Sequence, residues 1–179
     1  YWFNSRWLAL PWFYQQGYDI LLYTLPFHGR RKASTEPFGG YGYFAHGILH
    51  INEAVAQSVY DFRLFMDYLE STGVEKIGVT GISLGGYTSA LLAAVEDRLQ
   101  FSMPNVPVVS LVDLLYEWFP VAPLVKAGLR IAGINIHEAR HTLSVQCPLT
   151  YAPKLPKERL MIISGAGDRL APPKHSRLL

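Results

Sequence analysis

The sequence predicts an α/β protein: a mostly parallel sheet flanked by helices, carrying a small helical insertion that forms a cap. Three observations predict it. Short β-rich runs alternate with segments of helical periodicity along the first two thirds of the chain. The alternation stops between Val112 and Pro156, where the chain is apolar, helix-prone and broken by prolines. A last apolar strand, "RLMIISG" (159–165), then follows. At 179 residues the chain reads as a single domain, 1–179, with the cap inserted at 112–156.

Taken in order, "YDILLYTL" (18–25) is a strand after Gly17. In "INEAVAQSVYDFRLFMDYLEST" (51–72) apolar residues recur at Val55, Val59, Phe62, Phe65, Met66 and Leu69, one face of a helix, and Gly73 stands at its C-terminal cap. "KIGVT" (76–80) reads as a buried strand by its length and β-branching, and "LGGYTSALLAAVE" (84–96) as a helix. "LQFSMPNVPVVSL" (99–111) contains another strand, bounded less sharply because of its prolines. Insertions such as 112–156, at the carboxyl ends of parallel strands, sit above the usual ligand crevice.

Composition narrows the class. Half of the residues are hydrophobic and aromatics are plentiful, which is globular and not disordered. A net charge of +2 with scattered bases argues against a nucleic-acid partner. The single cysteine, Cys147, excludes an internal disulfide framework and a cysteine-rich metal site, and leaves the compartment open with the cytoplasm favoured. The longest apolar segment, "FPVAPLVKAGLRIAGINI", is interrupted by two prolines, Lys126 and Arg130, so no transmembrane segment is expected.

The candidate chemistry centres on "TGISLGGYTSA" (80–90), where Gly81-Ile82-Ser83-Leu84-Gly85 spells G-x-S-x-G. The pattern has meaning only in context: a strand must lead in and a helix must lead out. "KIGVT" and "LGGYTSALLAAV" meet that condition. A sharp strand-to-helix turn lifts a serine hydroxyl above the sheet. Glycines beside it avoid collisions, and the helix N-terminus supplies backbone N–H groups, Leu84 first, for an oxyanion.

On these residues the chain resembles the α/β-hydrolase superfamily, from "LPFHGRR" through "GISLGG" to "ISGAGDRLAPP". The resemblance implies the order nucleophile, acid, histidine, with Ser83 as nucleophile and Asp168 as the acid after the last strand. It also implies that the pattern is cut at both ends, with the catalytic histidine expected beyond Leu179 and the second oxyanion donor near or before Tyr1. Asp113 is the competing acid. His28, in the loop after the first strand, shapes the crevice, and Tyr41 and Tyr43 of "GYGYFA" (40–45) lie near substrate. His175, seven residues past Asp168, is poorly placed to return to the serine.

Other patterns are weaker. "HEARH" matches H-E-x-x-H at His137, Glu138 and His141, but no apolar half-helix precedes it and no clear third ligand follows, so no metal is expected. "GYGYFA" fits a dinucleotide fingerprint with Asp61 downstream, yet it follows the polar "RRKASTEPFG" and not a strand, so no cofactor is expected. Arg30-Arg31-Lys32 reads as a solvated loop. The expected function is hydrolysis of a carboxylic ester or related acyl compound, a small molecule, through an acyl-enzyme on Ser83. Acyl transfer by the same serine, and a non-catalytic binding or scaffold protein, are the alternatives.

Overall fold

Two strands, β1 (Ile77–Ile82) and β2 (Leu99–Asn105), lie parallel, with Ile82 opposite Asn105. They are joined by a helix. The computed structural model describes residues 2–179, with side chains from Ser5 onward. Helices α1 (Trp2–Trp7) and α2 (Leu10–Gln15) open the chain, and α3 (Tyr41–Phe44) and α4 (Ile48–Ser71) precede β1. Helix α5 (Leu84–Val95) crosses from β1 to β2. Then come α6 (Leu111–Glu117), α7 (Ala122–Ile131), α8 (Ile136–Leu143) and, near the end, α9 (Pro173–Ser176).

This corrects the expected fold class. The chain is 51% helical, and among the described residues the sheet holds two strands, not the many-stranded sheet of an α/β-hydrolase. The two segments that fail to become strands fail differently. Residues 159–165 do run along β2. Leu160 and Ile163 form isolated parallel bridges to Ser102 and Asn105, and the N–H groups of Met161 and Ile163 donate to the carbonyls of Ser102 and Pro104. The pairing is too intermittent to make a continuous ladder. Residues 18–25 form no ladder at all. A cavity of about 580 Å³ separates them from β1, with Ile20, Leu22 and Tyr23 on one wall and Val79 and Gly81 on the other. β-propensity describes side chains that suit a pleated surface; it does not supply a neighbour to pair with. The segment is held by side chains instead: Tyr23 donates its hydroxyl to the Ser58 carbonyl and packs edge-on against Phe62 and Phe65.

Helix α4 follows the expected periodicity. Val55, Phe62 and Met66 are buried, as are Ile51, Ala54 and Ser58, whereas Phe65 stays partly exposed beside the cavity. Gly73, with φ +90°, ends it: Gly73 N–H donates to Glu70 and Val74 N–H to Leu69, a paired C-terminal cap. The 112–156 segment folds into α6, α7, α8 and two short 3-10 turns. Its Ala139 and Leu143 join the core of Tyr43, Val55, Tyr87 and Leu91, and Asn52 of α4 donates to the Thr142 carbonyl. A second core cluster gathers Phe62, Met66, Leu92, Leu99 and Leu155.

Where α5 ends, Glu96 is buried between two arginines. Arg98 donates from Nε at 2.9 Å and Arg63 from Nε at 3.1 Å, while Arg98 Nη1 also reaches Asp67 and Glu70 of α4. The hydrogen bonds from Arg98 hold the Glu96 carboxyl down at about 2, well below its ordinary 4.5, against the cost of burial. A depressed folded-state pKa contributes stability that is complete above the ordinary value and lost as pH falls from about 5 through about 2. Glu96→Gln is therefore expected to cost roughly 2 kcal/mol near neutrality. In urea unfolding the gap to wild type should close as pH approaches about 2; a gap unchanged across that range would refute the assignment.

Candidate active site

Ser83 sits between the end of β1 and the start of α5 with φ 56° and ψ −112°. That is a strained conformation for a residue carrying a Cβ, and such strain clusters at functional turns. The side chain is exposed, and although Ser83 occupies the N-cap position, its hydroxyl makes no capping hydrogen bond. The hydroxyl is thus not spent in the way most N-cap serines spend theirs. The first N–H groups of α5, beginning with Leu84, have no intrahelical partner by helix geometry and lie at the same turn.

The turn is held from below. Ser83 N–H donates to the carbonyl of Asn105 at 3.0 Å, and the Ser83 carbonyl accepts from Tyr87 N–H at 2.8 Å. The glycines differ in what they permit. A Cβ on Gly81 would lie 2.5 Å from the carbonyl carbon and oxygen of Gly85, and one on Gly86 would lie 2.4 Å from the carbonyl oxygen of Asn105. A Cβ on Gly85 would meet nothing within 4 Å. Crowding therefore explains Gly81 and Gly86 but not Gly85, contrary to the expectation that both residues flanking the serine need to be bare. Asn105 is the residue the sequence reading missed. It ends β2, and its side chain donates to Thr80 Oγ1 and to the Met103 carbonyl, tying together the carboxyl ends of both strands.

Asp168 follows the 159–165 segment on the far side of β2 from Ser83. Because all three segments run parallel, the two residues emerge at the same end. Two strand spacings separate their parent segments, about 10 Å. Asp168 Oδ1 accepts from the N–H groups of Leu170 (2.8 Å) and Ala171 (2.9 Å), so one carboxylate oxygen organises the turn leading toward α9. Asp113, the competing acid, is committed elsewhere. Burial works to raise its pKa, but hydrogen bonds from Arg140 and from the Ser110 hydroxyl outweigh it and hold the carboxyl below its ordinary value.

The remaining expected residues divide. His28 donates from Nδ1 to the Pro26 carbonyl at 2.7 Å and packs edge-on against Tyr43. Its Nε2 lies 2.7 Å from where a Cβ on Gly40 would stand, and Gly40 has φ +89°. His28 is a brace for its loop. Tyr41 is partly exposed and packs against Phe38 and His46. Tyr43, expected near substrate, points into the core instead. It is fully buried, its hydroxyl is 3.1 Å from Ser58 Oγ, and burial pushes its pKa up to about 12. The crevice loop is a helical turn, and a turn of helix sends successive side chains to different faces.

Of the two decoy motifs, Glu138 of "HEARH" closes a capping box with Asn135, accepting from the Asn135 N–H at 2.8 Å. Among the described residues no cluster of three or more His, Cys, Asp or Glu is placed to hold a metal ion. Asp61 of the dinucleotide pattern is paired with Arg31 and Gln57. His175, also considered as a base, is buried on α9, and burial lowers its pKa.

The 580 Å³ cavity reaches the serine turn. Gly81, Ile82 and Gly85, on either side of Ser83, line it together with Leu22, Met66 and Leu92, whereas Ser83 and Leu84 do not. An exposed hydroxyl and a helix N-terminus meet at this turn, and a mainly apolar cavity borders the residues on either side of it.

No protein-family model matches the chain. It is similar to uncharacterized proteins from two strains of Mycobacterium tuberculosis, CDC 1551 / Oshkosh and ATCC 25618 / H37Rv, each 30% identical over 167 residues. The alignment covers 89% of this chain and 37% of either relative, so the chain spans little more than a third of their length.

The glycine geometry makes a sharp prediction. Gly81→Ala forces backbone apart and should destabilise by about 1–3 kcal/mol. Gly85→Ala meets open space within a helix and should be neutral or stabilising by up to about 1 kcal/mol. Thermal or urea unfolding of the two variants decides this; equal losses would show that the turn is not packed as described.

Proposed function

We propose that Ser83 is the nucleophile of a hydrolase acting on a carboxylic ester or related acyl compound. The observation that carries this reading is the strained, exposed, uncapped serine at a strand-to-helix turn. In the proposed reaction Ser83 Oγ attacks the substrate carbonyl carbon and gives its proton to a histidine acting as general base. The tetrahedral oxyanion accepts from Leu84 N–H. Collapse breaks the ester bond, and the alcohol leaves with the proton held by the histidine. Water then repeats the sequence on the acyl-enzyme and frees Ser83. Asp168 would orient the histidine through Oδ2, since Oδ1 is occupied by two backbone N–H groups. The apolar cavity favours a hydrophobic acyl chain. An alcohol in place of water would make the same residues an acyltransferase.

One observation favours a second, non-catalytic reading, that of a binding or scaffold protein: the turn-capping role of Asp168 is a sufficient structural reason for its presence. Labelling of the natural full-length protein with a fluorophosphonate probe separates the two. The hydrolase reading expects label on wild type, none on Ser83→Ala, and a rate lowered by about 10²-fold or more in Asp168→Asn. A well-folded wild type that takes no label, or Ser83→Ala that labels equally, would leave the scaffold reading standing.

A further inference from the structure

Helix α7 carries large apolar residues on its water-facing side as well as on its inner face. At 100° per residue, Ala122, Val125 and Leu129 share the face that packs inward, and they are buried or half-buried. The water-facing side holds Leu124, Ala127, Gly128 and Ile131 as one uncharged row, with the exposed Lys126 and Arg130 along one edge of it. Leu124 is 75% exposed, Ile131 88%, and Phe119 just before the helix 81%. An ordinary surface helix turns polar residues to water. Fraying does not explain the pattern. Ala122 N–H donates to the Trp118 carbonyl, and the helix closes on Gly133 (φ +67°), with Ile134 N–H donating to Leu129 and Gly133 N–H to Arg130.

The charges beside this stripe have one sign. From Trp118 to Ile136 there is no Asp or Glu, and Lys126 and Arg130 run alongside the apolar row, Lys126 over the Tyr116 ring at 4.6 Å. The nearest carboxylates are engaged elsewhere: Glu117 with Lys174, Asp113 with Arg140, and Glu138 in its capping box. The three large side chains together expose a few hundred Å², well short of the roughly 800 Å² per partner that a stable protein interface takes. A short apolar row rimmed by bases does suit the boundary of an anionic bilayer, where apolar side chains enter the acyl region and cations stay among the headgroups.

We infer that α7 and Phe119 form a docking surface for anionic lipid membranes, on which the helix lies flat. None of the helices among the described residues is long and apolar enough to cross a bilayer, so this contact is peripheral. It does not depend on whether Ser83 is a nucleophile.

Flotation of the 179-residue chain with phosphatidylcholine vesicles, with and without about one third phosphatidylglycerol, tests it. Binding is expected to the anionic vesicles and to weaken with salt. Neutralising Lys126 and Arg130 together (Lys126→Gln, Arg130→Gln) should lower the partition coefficient about fivefold per charge. Leu124→Glu and Ile131→Glu should each lower it about tenfold or more. Leu49→Glu, at an exposed apolar position of α4, should leave it unchanged, with circular dichroism showing all variants equally folded. Equal binding to neutral and anionic vesicles, or a loss in Leu49→Glu as large as in Ile131→Glu, would overturn the inference. So would a chain that stays unbound but self-associates until Ile131→Glu dissolves the dimer, for the face would then belong to a second copy.

Discussion

The carbonyl of Asn105 stands where three parts of the chain meet, and the rest of the structure is arranged around it. It accepts the Ser83 N–H, and it comes so close to Gly86 that no side chain fits between them. β1, β2 and the first turn of α5 are thereby fixed at one point. Helix α5 can double back against the strand it has just left only because Gly81 and Gly86 present bare backbone. The positive φ of Ser83 is the residue-level consequence of that reversal. Such a conformation costs on the order of 1–3 kcal/mol. Burial of Tyr87, Leu91 and Leu92 along α5 outweighs it, at about 1.5–3 kcal/mol for each large side chain.

Several polar groups inside this frame are satisfied by protein partners and are thereby withdrawn from chemistry. Tyr43 and Ser58 face each other in the core, the Ser58 hydroxyl donating to the Ala54 carbonyl, and the Tyr87 hydroxyl donates to the Gln146 carbonyl. Asp113 is enclosed by Ser110 and Arg140, and Glu96 by Arg63 and Arg98. Each of these groups has reached a stable partner. Ser83 differs: its backbone is strained and fully bonded, while its hydroxyl faces solvent without a capping partner. A rigid main chain beneath an uncommitted side chain is what positioning a nucleophile requires.

Some of this was legible in the sequence and some was not, for physical reasons. The 24-residue helix, its glycine stop and the strand–serine–helix turn follow from local rules, namely periodicity, capping and the spacing of glycines. The sheet did not follow, because strand formation depends on a partner that local sequence does not encode; 18–25 is as rich in β-formers as β1, yet it faces a cavity. The position of Tyr43 does not follow from its glycine-rich aromatic surroundings, which suggest a loop; folding of the run as α3 turns the ring inward. Asn105 could not be found from composition. Its importance lies in a carbonyl, which every residue has, and in its register opposite Ile82.

The same absence of a partner that breaks the expected sheet creates the apolar cleft. Had 18–25 paired with β1, backbone hydrogen bonds would occupy the space beside Gly81 and Gly85. Because it does not pair, the side chains of Leu22, Met66 and Leu92 line a gap that extends to Gly81, Ile82 and Gly85. Space lined mainly by hydrocarbon suits an alkyl or aromatic group, whose removal from water is favourable, better than a polar one. The departure from the expected fold and the mainly apolar cavity are thus two consequences of one structural fact.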